Sequence, residues 1–404
     1  MTLFITEDQS ILLWAVVLIT VAIAVALEQR YRWAAAIGSI VIVLFAGLLF
    51  SNIHLVPYSS ATFTSIGSVL LPCAIPLFLF KCNLKQIFKE SGRLFIIFHI
   101  AAVGSVIGAL LGYVILQNVS GTEYLSTLIA AAAVGGTVNC VAMNNIFAVP
   151  EGMLDSYLVV GNFFCGLMIL VFKLLHNTSF IKKFLPRPYS EKVESLGRGE
   201  DLAAEGKTEA ALFWGGKEVG LKDIAIALAS TFAIVGVSGL IANWVLSLDP
   251  PTFIAQSFGS IYLIMTLVTV ILATVFSKFF GNIKGAMELG NIGLLAWFFT
   301  IGASGNVVEI IKGSAASLII LILVLIFNLG LSILGAKLVK GTWEEAVCAA
   351  TATIGGPPTA AAVTIAFNWS ELVIPGILVG LWGYIIGNYF GIFVGNILGC
   401  VSLL

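Results

Sequence analysis

Gly135-Gly136-Thr137-Val138-Asn139 and Gly355-Gly356-Pro357-Pro358-Thr359 interrupt two of the most apolar stretches of this chain. Gly tolerates unusual backbone angles and Pro carries no N–H. Each motif therefore frees backbone polar groups inside a run otherwise long enough to cross a bilayer. Such groups are tolerated at membrane depth only where protein buries them or where they line a cavity. A matched pair of broken helices, one per half, is the best sequence-level pointer to a transporter binding site.

The surrounding composition sets the class. The chain is 59% hydrophobic and 10% charged, against about 25% charged in soluble domains. This predicts an all-α polytopic membrane protein, with the lipid bilayer as its first partner. A net charge of −1 gives no case for nucleic acid. Cys73, Cys82, Cys140, Cys165, Cys348 and Cys400 lie in or beside apolar runs without a CxxC, and read as small apolar residues. The first apolar run, 11–27, follows Glu7 and Asp8, where a signal peptide would carry basic residues. A retained first helix with its N-terminus outside is expected.

Apolar windows fall near 10–28, 33–53, 61–82, 94–116, 125–148 and 154–177, then near 222–247, 257–280, 286–304, 314–338, 344–367 and 372–402. The expectation is about 10–13 transmembrane helices. Residues 179–221 form the long polar stretch, with Pro186, Pro188 and several Gly. They read as a cytoplasmic linker between a first half, 1–178, and a second, 222–404.

The halves resemble each other. Asn83 followed by 84–89 aligns with Asn306 followed by 307–312, each at a similar distance before its Gly-Gly pair. After each motif comes a polar break, then Leu158-Val159-Val160-Gly161 against Ile377-Leu378-Val379-Gly380. Three matches in order indicate a duplicated unit. The span count implies parallel halves. The distribution of Lys and Arg over the loops has opposite sign in the two halves and implies inverted ones. The charges carry more weight, because one misjudged span reverses the parity.

Candidate chemistry centres on the breaks. Broken-helix N-termini offer N–H groups and C-termini offer carbonyls. Thr137, Asn139, Thr353 and Thr359 add neutral oxygens, so Gly135, Gly136, Gly355, Gly356, Pro357 and Pro358 with these residues form the candidate substrate and ion site. Na⁺ is expected at Thr137, Asn139 and Thr359. Tightly packed kinks without a ligand are the alternative. Asn144, Asn145, Asn162, Asn328 and Asn388 sit in apolar helices, where Asn commonly joins helices. Asn162, just after the first break, is a further candidate lining residue.

No Asp or Glu falls near the centre of a span. Proton-coupled exchangers commonly use one, so neutral oxygens favour Na⁺ over H⁺. Asp155, Glu288 and Asn306 remain candidates for coupling. No enzyme signature holds. Gly302-Ala303-Ser304-Gly305 matches the G-x-S-G of intramembrane serine proteases, but His54, His99 and His176 all precede it. Glycines 383, 387, 391, 395 and 399 give the last helix a smooth face for another helix or a second protomer.

Pro72-Cys73-Ala74-Ile75-Pro76-Leu77-Phe78-Leu79-Phe80-Lys81-Cys82-Asn83-Leu84, together with the two breaks, resembles the domain-of-unknown-function 819 family of bacterial YjcL-like proteins, over nearly the whole chain. That family is grouped with cation:proton antiporters and anion transporters, whose relatives include sodium–bile acid and sodium–glutamate symporters. The resemblance implies two inverted repeats, each with a panel part and a core part, and elevator-like alternating access. It points to Thr137, Asn139, Pro357 and Thr359 as cation and substrate ligands. The family often has an acidic residue where this chain reads Gly161-Asn162-Phe163, which puts proton coupling in doubt.

The sequence thus predicts a secondary transporter of a small anionic or zwitterionic organic solute, Na⁺-coupled, in a bacterial plasma membrane. It would need no cofactor and is not expected to be an enzyme. A proton-coupled antiporter, an uncoupled channel or facilitator, and a non-transporting scaffold are the alternatives. The glycine face and the panel-type fold suggest a homodimer.

Overall fold

The computed structural model describes residues 4–150, 152–176, 178–195, 218–304, 307–367 and 369–403. Among these the chain is helical, with one isolated bridge between Phe147 and Ser402 and no β-strand. The first half forms α1 (Ser10–Arg30), α2 (Arg32–Ile37), α3 (Ser39–Asn52), α4 (Ala61–Leu79), α5 (Leu84–Glu90), α6 (Gly92–Leu116), α7 (Thr122–Gly135), α8 (Thr137–Ile146) and α9 (Met153–His176). The polar stretch begins with α10 (Ser179–Phe184) and α11 (Pro188–Ser195). The second half forms α12 (Leu221–Leu246), α13 (Thr252–Ile254), a π-turn (Ala255–Gly259), α14 (Ile261–Val275), α15 (Ser277–Gly281), α16 (Ala286–Ser304), α17 (Val307–Leu338), α18 (Trp343–Ala366) and α19 (Ser370–Ile397). Among the described residues, seven helices are long and apolar enough to cross a membrane, and α3 and α14 are shorter apolar helices. Ile11, Ile19 and Ile23 of α1 and Phe232, Leu240 and Trp244 of α12 are exposed, as lipid-facing side chains are. The chain is a multi-pass membrane protein.

Two compact units form, and each takes one segment from each half of the sequence. The first is Met1–Lys81 with Trp214–Gly313, the second Cys82–Phe213 with Ser314–Leu404. In the first unit, Ser60 caps α4 by accepting the Phe63 N–H at 3.1 Å. α16 meets α4 through glycines: a Cβ on Gly290 would sit 3.2 Å from the Ala74 carbonyl oxygen, and one on Gly293 3.2 Å from that of Leu70. Gly302 packs directly on the backbone of Leu44 in α3. The Ser304 hydroxyl donates to the carbonyls of Thr300 and Ile301, one turn back. Gly302, Ala303 and Ser304 thus form the end of α16, with Gly305 outside the described residues.

The second unit has two ends, defined by its contacts. At one end Arg93, at the start of α6, donates to the Lys340 carbonyl at 2.7 Å, just past α17. There the Trp343 indole, at the start of α18, donates to Nδ1 of His176, at the end of α9. At the opposite end Tyr124, in the first turn of α7, accepts the Val401 N–H, while the Leu403 N–H donates to the Ile146 carbonyl at the end of α8. Both termini of the α7–α8 pair therefore lie at that opposite end.

Contacts along α19 trace the path between. A Cβ on Gly383 would meet the Val134 carbonyl oxygen at 2.5 Å, and one on Gly387 would meet Asn139 Nδ2 at 2.7 Å and the Ala131 carbonyl at 3.0 Å. Gly391 faces Ala131 and Met143, and Gly395 faces Phe147. Going down α19, the contacts descend α7 and ascend α8. The two helices are antiparallel arms of a re-entrant hairpin, hairpin 1. α18 folds the same way from the other end. Its backbone breaks at Gly356, and Gly376 of α19 faces both Cys348 in the first arm and Ala360 in the second. Its base is closed by ring contacts of His176 with Phe367 and Trp369. This is hairpin 2.

The apolar windows at 125–148 and 344–367 therefore do not each supply a crossing. Arms of 14 and 10 residues reach about 21 and 15 Å, short of the roughly 30 Å hydrocarbon core. The glycine face of α19 is likewise filled within the chain, by hairpin 1, up to Gly395.

The front of the polar stretch is packed. The Trp343 N–H donates to the Pro186 carbonyl, the Arg187 guanidinium donates to the His176 carbonyl at 3.0 Å, and Ser190 donates twice to Glu344. Lys192 pairs with Glu371 at 2.7 Å. Burial and then the carboxylates of Glu345 and Glu371 push the Tyr189 hydroxyl up from its ordinary pKa. Residues 196–217 lie outside the described residues.

Two predictions follow from this packing. In membrane vesicles, Ser120→Cys and Pro150→Cys will react with an impermeant maleimide from one side, and Lys340→Cys and Glu371→Cys from the other. A crossing of α7–α8 would put the first two on opposite sides. In purified protein, Gly383→Ala will lower unfolding stability by roughly 1–3 kcal/mol, because its Cβ would strike backbone that cannot yield. Gly330→Ala in α17, with open space around it, will be neutral or will stabilise by up to about 1 kcal/mol in the same melt.

Candidate functional site

The two hairpins point at each other, and their glycine tips meet. Gly136 has φ 78° and ψ −179°, and Gly356 has φ 69° and ψ −167°. Positive φ with extended ψ is a glycine conformation, so the same rare turn closes both tips. A Cβ on Gly136 would lie 3.7 Å from the Gly356 backbone. Tyr384 of α19 touches both: its ring is 3.3 Å from a Cβ on Gly136 and 3.2 Å from one on Gly356.

Side-chain amides fix the tips. Asn139, on the second arm of hairpin 1, is 1% exposed. Its Nδ2 donates to the Tyr384 carbonyl at 3.0 Å and to Asn388 Oδ1 at 2.9 Å. Its Oδ1 has no hydrogen-bond partner and curls back toward Gly135, close to where a Cβ would be. On the other side Asn328 of α17 donates to the hydroxyls of Ser105 and Thr353 at 2.8 Å each and to the Ala101 carbonyl. The Ser105 hydroxyl in turn donates a hydrogen bond to the Ala133 carbonyl at 2.7 Å. Ala133 and Thr353 each stand two residues before a tip glycine pair, so one chain of hydrogen bonds links both hairpins through α6 and α17. The Asn328 Oδ1 is also buried and unpartnered. A buried acceptor left unmade costs about 1–3 kcal/mol, and the second unit buries others too, among them the Ser126 hydroxyl and one oxygen of Glu344.

The sequence candidates fall into three groups. Gly135, Gly136, Thr137, Asn139, Gly355, Gly356, Pro357, Pro358 and Thr359 gather around the meeting point. Thr137, Gly355, Pro358 and Thr359 are half-exposed there. Thr359 directs its hydroxyl to the Gly355 carbonyl at 2.8 Å, and the Thr137 carbonyl accepts the Cys140 thiol. Thr353 is fully buried, with its hydroxyl donating within its own helix and accepting from Asn328, so it is a clamp. Asp155 lies in the first turn of α9, at the end where hairpin 1 has its base, and Glu288 belongs to the first unit. The side chain of Asn162 and all of Asn306 lie outside the described residues.

Asn328 and Asn388 join helices, as their places in apolar spans predict. Sequence reasoning missed Ser105 and Tyr384. Tyr384 lies one turn before Asn388 on the glycine face of α19, and that register is the signal that could have found it.

The family described as "Protein of unknown function (DUF819)" matches residues 15–401 of the chain. The "Uncharacterized membrane protein YjcL" of Bacillus subtilis (strain 168) is 34% identical over 393 residues, covering 97% of this chain and 98% of its own length. The chain belongs to the DUF819 family.

The Asn139 clamp is open to a double-mutant test. Asn139→Ala and Asn388→Ala will each lower stability in detergent, by about 1 kcal/mol, and the double variant will lose less than the sum, with coupling of roughly 0.6–1.7 kcal/mol. Strict additivity would show that the two amides do not interact.

Proposed function

We propose that this DUF819 member is a secondary active transporter of a small organic solute, coupled to Na⁺, with its site where the two hairpin tips meet. The observation that carries the reading is the pair of matched glycine tips in contact beside a buried, unpartnered Asn139 Oδ1. Irregular backbone at membrane depth requires protein or a lined cavity around it, and opposed broken helices that meet between two halves are how transporters build ion and solute sites.

The halves are read as inverted repeats. α6 with α17, and α9 with α19, run in opposite directions between the same two ends, and the hairpins enter from opposite ends. With each hairpin returning to its own side, every half has an odd number of crossings, and this is the parity that the loop charges ask for. The second unit would be the moving core and the first the panel, in the elevator movement that the family resemblance implies. A bacterial plasma membrane is the expected location, and no enzymatic step or cofactor enters the reading.

Na⁺ is favoured over H⁺ by where the carboxylates stand. Glu123, Glu344 and Glu345 lie in the first turns, at the hairpin bases, and the tips offer carbonyl, amide and hydroxyl oxygens. Those are ligands for a hard cation. The N–H groups that open α8 suit a solute carrying a carboxylate or other anionic group.

The test is thermal unfolding of the purified protein in Na⁺ against K⁺ and choline at fixed ionic strength. A ligand held only by the folded state stabilises by RT ln(1 + [L]/Kd), about 2.7 kcal/mol at a hundredfold excess over Kd. A rise in Tm specific to Na⁺ is expected, and Asn139→Ala will abolish it. A melt indifferent to Na⁺, or a Na⁺ effect intact in Asn139→Ala, would sink the assignment.

A further inference from the structure

The two hairpins are matched at their tips but not at their bases. Hairpin 1 is closed by the chain that follows α19. Ala148 and Val401, Leu403 and Ile146, and Phe147 and Ser402 pair through backbone groups, and Thr127 meets Cys400. Its second arm is also tied inward by Asn139 to α19. Hairpin 2 is closed by the chain that follows α9, residues 186–192, through one backbone bond from Trp343 to Pro186 and otherwise through side chains. Ser190 donates its N–H at 2.9 Å and its hydroxyl at 2.7 Å to one oxygen of Glu344, a residue with no exposed surface. The other oxygen of Glu344 has no partner.

The arms differ as well. In the second arm of hairpin 2, Pro357 and Pro358 have no N–H to give. Thr359 and Thr364 direct their hydroxyls to carbonyls of the same arm. Contact with α19 there is apolar, through Ala360 and Pro357 against Gly376 and Gly380. The polar attachments of hairpin 2 are thus concentrated in its first arm and its base, where the 186–192 strap holds a buried carboxylate by hydrogen bonds to one side only.

We infer that hairpin 2 is the mobile hairpin of the pair, and that the Ser190–Glu344 contact is the latch that holds it shut against α19. The latch is a local packing device and stands whether or not the transported solute is the one proposed above. It also gives the front of the polar stretch a role: the strap that leads out of the second unit closes the helix pair that can open.

Two native thiols report on it. Cys348 lies in the first arm of hairpin 2 facing Leu372 and Gly376, and Cys140 lies in the second arm of hairpin 1. Both are fully buried. Full-length protein would be exposed to N-ethylmaleimide under native conditions, and modification at each cysteine followed by mass spectrometry. Ser190→Ala and Glu344→Gln are expected to speed labelling of Cys348 roughly three- to tenfold, the change that loss of one such hydrogen bond brings to a local opening, with Cys140 within about twofold of wild type. Asn139→Ala should do the reverse, speeding Cys140 and sparing Cys348. Equal acceleration of both thiols in the latch variants would mean general loosening and overturn the inference, as would an unchanged Cys348. If Glu344→Gln fails to fold, Ser190→Ala, which keeps the backbone N–H bond, decides alone.

Discussion

Backbone polar groups cannot be left unpaired where water is scarce, and this constraint governs the second unit. A hairpin that turns back inside the membrane must reverse direction at a point with few partners. Both tips do so with a glycine at positive φ, Gly136 and Gly356, and both are then surrounded by protein. The close approach needed for that enclosure is possible because α19 presents Gly376, Gly380, Gly383, Gly387, Gly391 and Gly395 to the arms. Asn139 reaches from its arm to the Tyr384 carbonyl of α19, Asn328 donates to the Thr353 hydroxyl, and the Ser105 hydroxyl donates to the Ala133 carbonyl, so side chains tie both arms to their neighbours. Remove the glycines and the tips cannot be covered; remove the amides and they are covered without being fixed.

Most element positions were legible in the sequence because hydropathy reports length and apolarity well. The windows at 94–116 and 286–304 match α6 and α16 closely. Hydropathy does not report direction. A window of crossing length reads alike whether one helix spans it or two shorter arms fold back on each other. The windows 125–148 and 344–367 therefore read as crossings in the sequence, and the span count and the loop charges point to different repeat orientations. Positive charge follows topology and not helix geometry, so a segment whose two arms fold back on each other changes the span count without changing the charge pattern.

The polar stretch shows a different limit. Its mixed charges, prolines and glycines have the composition of a tether, yet Leu185, Arg187 and Ser190 are buried. Composition averages over the segment. What places 186–192 is a few specific partners, chiefly Glu344 and His176, and Glu344 stands 154 positions away in sequence. The same holds for Thr353. As a hydroxyl two residues before a break it reads as a ligand, but its neighbour in space is Asn328, 25 positions away, and that contact makes it a clamp. Residue type at a motif narrows the chemistry, and the long-range partner decides the role.

The two tips share a backbone turn and differ in what they offer. After Gly136 come Thr137 and Val138, with N–H groups at the start of α8. After Gly356 come Pro357 and Pro358, with none. Carbonyls end the first arm on both sides, and the Asn139 oxygen adds one more acceptor without a partner. The meeting point is therefore rich in oxygen acceptors, with amide donors from hairpin 1 alone. In the transporter reading proposed above, an anionic group would bind on one side and a cation would be shared by both. If a cation draws the tips together, solute binding on the hairpin 1 side gains from it, since the ion would screen the carbonyls that an anionic group must otherwise face. Under that proposal, an ion between the tips and a solute against the donor-bearing one is the arrangement by which two nearly symmetric hairpins would give an asymmetric site.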